Sequence, residues 1–247
     1  MSVSVTDQYR RLVSYQGAYD DPEDPQNVQA MQMVLRIEKK DPPERHSLLV
    51  AAARAVVLLC LDPRVAAGGE WAAPMDAWCD ARIRKIARRA RGAQWEAAQG
   101  VPGVTATVSG VQARAYVPSR IGDVDKRIAK LQIGGTEVDG PLPGDDAPVD
   151  GSAGLLLWVN PGLEMTVGKT AAQVGHASML GVRLMSETQT ADWYAEGCPL
   201  DVRLPGPQHW ARLVDAAAAG DAVPVQDAGF TEIAPGSMTV IAELARP

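Results

Sequence analysis

From residue 154 onward, short runs of apolar residues trade places with longer amphipathic ones. The order is LLLWVN (155–160), a helical stretch from about Met165 to Ser186, PLDVRLPG (199–206), PQHWARLVDAAAAG (207–220), AVPVQ (222–226) and MTVIAELA (238–245). Strands that are apolar throughout, alternating with helices, predict a sheet covered on both faces. The fold class expected is therefore α/β, with a C-terminal three-layer domain whose mixed β-sheet carries helices on both sides.

The first half reads differently. Residues 8–40 predict one or two helices broken at DDPEDP, where prolines and acidic residues mark a turn. SLLVAAARAVVLLCL (47–61) sits in a helix over roughly 44–61, apolar on every side and so buried, which ends at LDPR because the residue before a proline is pushed out of helical geometry. A third helix is expected from about Pro74 to Ala98. VPGVTATVSGVQARAYVP then predicts two β-branched strands meeting at Ser109-Gly110, a hairpin. DKRIAKLQI continues as helix or strand. The reading is a mainly α-helical N-terminal domain with a short hairpin over 1–133, an exposed Gly/Pro/Asp-rich linker over 134–153, and the α/β domain over 154–247. No internal repeat and no heptad run is visible.

Charge changes this picture in one place. The chain carries 24 Lys and Arg against 30 Asp and Glu, a net −6, which disfavours nucleic acid unless a local basic patch exists. ARIRKIARRARGAQW supplies one, with Arg82, Arg84, Lys85, Arg88, Arg89 and Arg91 around an apolar stripe of Ile83, Ile86, Ala87 and Ala90. This spacing predicts a basic amphipathic helix and makes those six residues candidates for RNA binding, with Trp71, Trp78 and Trp95 near enough to stack on bases or to serve as core. The alternative is a helix paired with acidic neighbours such as Asp76 and Asp80.

Other chemistry is thin. Three scattered cysteines suggest neither a disulfide framework nor a thiolate metal site and fit a reducing cytoplasm. Three histidines without ligand spacing argue against zinc, and no phosphate-binding glycine motif is present, so neither a metal nor a cofactor is expected. MSVSVTDQYRR lacks the apolar core of a signal peptide, and 47–61 is too short for a bilayer, so no membrane partner is expected.

Two segments carry the functional reading. On a helix, Lys169, Gln173 and His176 fall on one line while Ala171, Val174, Ser178 and Val182 gather opposite. Taken alone, that line is an ordinary solvent face. The second segment, QDAGFTEIAPGSMTV (226–240), ends a strand in an aspartate and enters a Gly- and hydroxyl-rich loop, the place where open α/β sheets bind ligands. Turn chemistry explains that loop equally well.

Together, VNPGLEMTVGKTAAQVGHASM and DAGFTEIAPGSMTVI resemble the type 2 peptidyl-tRNA hydrolase family, over residues 154–247. The resemblance implies metal-independent hydrolysis of the ester between a peptide and the 3′-terminal ribose of tRNA, in the cytoplasm, with tRNA as partner and a possible homodimer. It implies catalytic roles for Lys169, His176, Asp227 and Thr231. Substrate contacts are implied for Gly168, Gln173, Ala228, Gly229, Glu232 and Ser237. Asp227 orients or deprotonates water, and Lys169 meets a phosphate or an oxyanion. His176 holds the terminal adenosine or orients Asp227, and Thr231 positions water or the ribose.

Three departures stand out. Val167 replaces a basic residue common in the family, Glu232 replaces its glutamine, and residues 151–247 hold five Lys and Arg against ten Asp and Glu. The N-terminal half is then the expected source of positive field. Two other readings stay open: a non-catalytic adaptor, in which Lys169 and Asp227 do not face one cleft, and an acyl-transfer enzyme with a deep acceptor pocket.

Overall fold

The computed structural model of the chain describes residues 4–16, 21–135, 137–149, 151–227 and 236–245. After α1 (Thr6–Ser14), the N-terminal half runs β1 (Gln29–Arg36), α2 (Arg45–Leu61), α3 (Ala72–Cys79), β2 (Arg84–Ala90), α4 (Gly92–Gln99), β3 (Gly103–Val108), β4 (Val111–Tyr116), β5 (Ser119–Arg120) and α5 (Lys126–Ala129). The C-terminal half runs β6 (Leu155–Val159), α6 (Val167–Leu180), α7 (Glu187–Ala195), β7 (Leu200–Arg203), α8 (Pro207–Ala219), β8 (Val223–Gln226) and β9 (Met238–Leu244).

The α/β class is as expected, and each C-terminal strand lies where its apolar run placed it. Along β6, Leu155, Leu157 and Val159 join the core under α6, while Leu156 and Trp158 pack beneath α8 with Leu213 and Ile241. That alternation explains the unbroken apolar run: both faces are covered. α8 begins with Pro207 in its first turn and closes on Gly220 at φ 87°, the left-handed cap that glycine adopts without strain. α7 was not foreseen, although Ser186 and Gln189 form a capping box at its start.

The N-terminal half corrects the sequence reading in three places. Residues 29–36 are a strand, not helix: β1 is buried along both faces at the centre of its sheet. The helix expected over 74–98 is two short helices, α3 and α4, with a strand between them. The basic amphipathic helix is that strand, β2, parallel to β1 from Ala30 opposite Arg84 to Arg36 opposite Ala90. Its arginines find partners on distant segments. Arg88 donates to Gln32 Oε1 and to the carbonyls of Ala129 and Leu131, Arg89 to Gln132, and Arg84 to Asp21. Tertiary partners outweigh the helical spacing of Ile83, Ile86, Ala87 and Ala90. The hairpin is as expected, with Ser109 and Gly110 both at positive φ as a tight two-residue turn requires. It is part of a five-stranded sheet rather than an isolated ribbon.

No repeat was visible in the residues, yet the topology repeats. The first sheet has the order β2-β1-β4-β3 and the second β7-β6-β9-β8, each with its first strand parallel to the next and its last two strands antiparallel. In both halves two helices separated by a 3-10 turn link the parallel strands. The halves meet through α2 and α6, which lie against each other between the sheets. α2 also touches β7, and α6 touches β2, the equivalent strand of the other half. One hydrophobic core runs from Leu12 and Met31 through α2 to Leu157 and Ala242.

Residues 137–149 contain no helix or strand and lie along the C-terminal half. Fully buried Arg203 fixes them there, donating to the carbonyls of Gly144, Ala147 and Pro148 and pairing with Asp201. Asp145 accepts from the Gly206 amide and meets His209.

Candidate functional site

α6 brings the polar line to the site, but solvent is not what it faces. Every residue from Val167 to Leu180 is buried except Lys169 and His176, which are half-buried. Thr166 caps the helix by accepting from the Lys169 amide, so the lysine sits in the first turn. Ser178, on the far side, donates to the Ala53 carbonyl of α2.

Asp227 follows directly on β8. Its amide donates to the Ser237 carbonyl and its carbonyl accepts from Gly236, which closes the base of the loop and puts Ser237 across from it. Lys169 Nζ donates to Asp227 Oδ1 at 2.7 Å, with the two side chains only 12% and 8% exposed. Gln173 Nε2 donates to the same oxygen at 3.3 Å, and Gln173 Oε1 accepts from the Thr239 hydroxyl at 2.7 Å. Asp227 Oδ2 is buried and has no hydrogen-bond partner among the described residues. Among the described residues that oxygen is an unmet acceptor beside an ammonium.

These groups line a cavity of about 980 Å³, at the upper end of small-molecule sites. Gly168, Lys169, Gln173, His176 and Asp227 form one wall; Arg82, Ile83, Arg84, Lys85, Ile86 and Ala87 form the facing wall, with Arg183, Tyr15 and Ile133 at its edges. Among the described residues five cationic side chains and one carboxylate line it, so the N-terminal half does contribute positive charge to the site. Arg82 and Arg84 are partnered with Asp21, and Arg183 donates to the Leu12 and Tyr15 carbonyls. Ile83 enters β2 at φ 42°, a left-handed conformation rare for a β-branched residue, and it is buried against the cavity.

His176 is held by a residue from the other half. Lys85 Nζ lies 2.9 Å from His176 Nδ1 and 3.2 Å from Met179 Sδ, and 4.8 Å from the centre of the Trp78 ring. Burial, then the charges of Lys85 and Lys169, keep the imidazole pKa well below its usual value, so the ring is neutral near pH 7. Burial brings the Lys85 ammonium down to about 7.

Of the sequence candidates, Gly168, Lys169, Gln173, His176 and Asp227 converge, joined by Arg82, Arg84 and Lys85. Arg88, Arg89 and Arg91 are not among the lining residues, and Ser237 sits at the loop base. Ala228, Gly229, Thr231 and Glu232 lie outside the described residues. Sequence reasoning missed Thr239 and Arg183. The threonine carried a signal in its place beside the closing loop; Arg183 carried none. The adaptor reading required Lys169 and Asp227 to face apart, and they are in contact. Among the described residues no cluster of His, Cys, Asp and Glu could hold a metal ion. No helix among them is long and apolar enough to cross a membrane.

Residues 154–244 match the family model described as peptidyl-tRNA hydrolase PTH2. The match spans the second sheet, α6 and Asp227 and leaves the N-terminal half outside. No curated protein matches the chain.

Proposed function

We propose that the chain hydrolyses the ester joining a peptide, or an N-blocked aminoacyl group, to the 3′-terminal ribose of tRNA, as a cytoplasmic enzyme whose chemistry resides in the C-terminal half. The observation that carries this reading is the division of labour at Asp227. Oδ1 is held by Lys169 and Gln173, which fixes the carboxylate plane, and Oδ2 is left to accept from a water or hydroxyl in the cavity.

Ester hydrolysis needs a polarised water and a donor for the charge that develops on the carbonyl oxygen. Asp227 Oδ2 orients the water and takes its proton as it attacks the ester carbon. The Lys169 ammonium, beside the same carboxylate, stabilises the oxyanion of the tetrahedral intermediate. Collapse breaks the bond to the ribose 3′-oxygen, which takes the proton held by Asp227, restoring the carboxylate and freeing peptide and tRNA. A neutral His176 suits hydrogen bonding to the terminal nucleoside better than proton abstraction. Thr231, which the family resemblance implies for water or ribose, completes the set. The cationic lining from Arg82, Arg84 and Lys85 favours a polyanionic substrate although the chain is acidic overall.

The test is release of free tRNA from N-acetylaminoacyl-tRNA. Wild type should turn over, and Asp227→Asn should lower kcat by about 10²–10³, the usual cost of removing one polar group from such a site. Turnover by Asp227→Asn equal to wild type, or none in the wild type, overturns the reading.

A further inference from the structure

Every group that Lys85 meets among the described residues is neutral: His176, Met179 and the Trp78 ring. Compare His46 of α2, which meets Asp201 of β7 at 2.6 Å, a carboxylate already paired with Arg203. That contact joins the halves through a carboxylate. The contact of Lys85 with His176 joins the equivalent helix and strand with a cation unmatched.

Its placement is built into the packing. Lys85 reaches α6 across Gly175, where an added Cβ would lie 2.9 Å from Val56 Cγ2 and 3.3 Å from Lys85 Cδ. A larger residue there would push the lysine stem and α2 away from α6. The backbone of β2 is pinned at the same point, since Trp78 Nε1 donates to the Arg84 carbonyl.

We infer that Lys85, supplied by the N-terminal half, is a positioning residue for His176: its Nζ donates to Nδ1, which places the imidazole proton on Nε2 and presents that N–H to the cavity. An ammonium has three donors and no acceptor, so the nitrogen it meets must be the one carrying the lone pair. The neutral state of the ring agrees with this, because an imidazolium would bring two donors together. Cys60 of α2 and Cys79 of α3 are the other titratable groups near Lys85, and Lys169 the other near His176. The half of the chain outside the family match thus sets the hydrogen-bonding character of a side chain inside it. For its kinetic arm alone, the inference rests on the hydrolase reading.

The direct test is nitrogen NMR of full-length protein labelled with ¹⁵N at histidine, in buffer about one pH unit below the Lys85 midpoint. With three histidines in the chain, His46→Gln and His209→Gln assign the His176 signals. Wild type should show the Nε2–H tautomer. Lys85→Gln, whose amide still donates, should keep it, and Lys85→Met should give an average of both tautomers. In the tRNA-release assay Lys85→Met should lower kcat about 10- to 100-fold, as loss of an orienting partner does, with Lys85→Gln recovering most of it. An Nδ1–H tautomer in the wild type, or an unchanged Nε2–H signal in Lys85→Met, overturns the inference. Wild-type protein that leaves the ester intact overturns the hydrolase reading instead, and the nitrogen spectra still decide the contact.

Discussion

Removing one partner of the Lys169–Asp227 pair should cost more than removing both. At 2.7 Å and an effective dielectric near 20, the attraction is ~6 kcal/mol before desolvation is subtracted. In Asp227→Leu the half-buried ammonium loses the carboxylate it touches and Gln173 Nε2 loses its acceptor. Breaking buried pairs this way costs 3–5 kcal/mol in general, and a pair facing a cavity belongs at the low end, about 3 kcal/mol. For a chain of this size that lowers Tm by about 6–12 °C. Lys169→Met should cost a similar amount. The double variant Lys169→Met/Asp227→Leu puts two apolar side chains of similar volume side by side and should return to within about 1 kcal/mol of wild type. Calorimetric unfolding of the four proteins gives the cycle. Ester hydrolysis measured in parallel should stay lost in all three variants, separating stability from chemistry. A double variant as unstable as the two singles summed would refute the view that these groups form one desolvated pair, and recovered turnover would refute their catalytic role.

Three further outcomes follow from the packing and the charges. Gly175→Val should destabilise the fold by about 1–3 kcal/mol through overpacking and should disturb the His176 nitrogen signals, whereas an unperturbed spectrum would mean that Lys85 reaches the ring by another route. Arg203→Leu should release residues 144–148, visible as faster proteolytic cleavage between Gly144 and Pro148, since three carbonyls there lose the guanidinium's hydrogen bonds; cleavage at the wild-type rate would show that other contacts suffice. The third concerns pH. With Lys85 at about 7 in the fold and about 10.4 unfolded, the unfolded chain binds more protons between those values, so this residue makes the fold more stable as pH rises. Cys60 and Cys79, pushed up to about 11 and about 12 by burial, oppose that trend once free thiols ionise. Wild-type Tm should therefore rise relative to Lys85→Met between about pH 6.5 and 8.5, and a difference constant with pH would contradict the burial of the ammonium.

The legible parts of this chain were those whose environment is written locally. α2 is apolar along nearly its whole length, and all but Arg45, His46, Arg54 and Leu58 of its residues are buried. β6 is an unbroken apolar run with a helix layer on each face, and Ser109-Gly110 has the backbone freedom its hairpin needs. α6 announced its polar line, although the sequence favoured solvent and the structure put a cavity there. What failed was written elsewhere. The arginines of β2 look like a solvated helix face until Asp21, Gln32, Gln132 and two carbonyls near residue 130 arrive to meet them. The repeat was hidden because it conserves strand order and not residues: α2 has no lysine or glutamine, and the Asp227 loop has only a two-residue turn as its counterpart between β3 and β4. The contact between Lys85 and His176 joins residues 91 positions apart, and neither signals the other.

The doubled topology separates two properties that a lone α/β unit must keep in one place. The proposed reacting groups sit on α6 and just after β8, while the opposite wall belongs to β2, a strand of the half that shows no lysine–aspartate pair among its described residues. Lys85 on that wall is tied to His176 and Arg84 to Asp21, but Ile83, Ile86 and Ala87 have no part in the proposed chemistry, so what the cavity admits can change there without altering what it does once occupied. Ile83, Ile86 and Ala87 are thus the natural ground for reshaping this cavity by design.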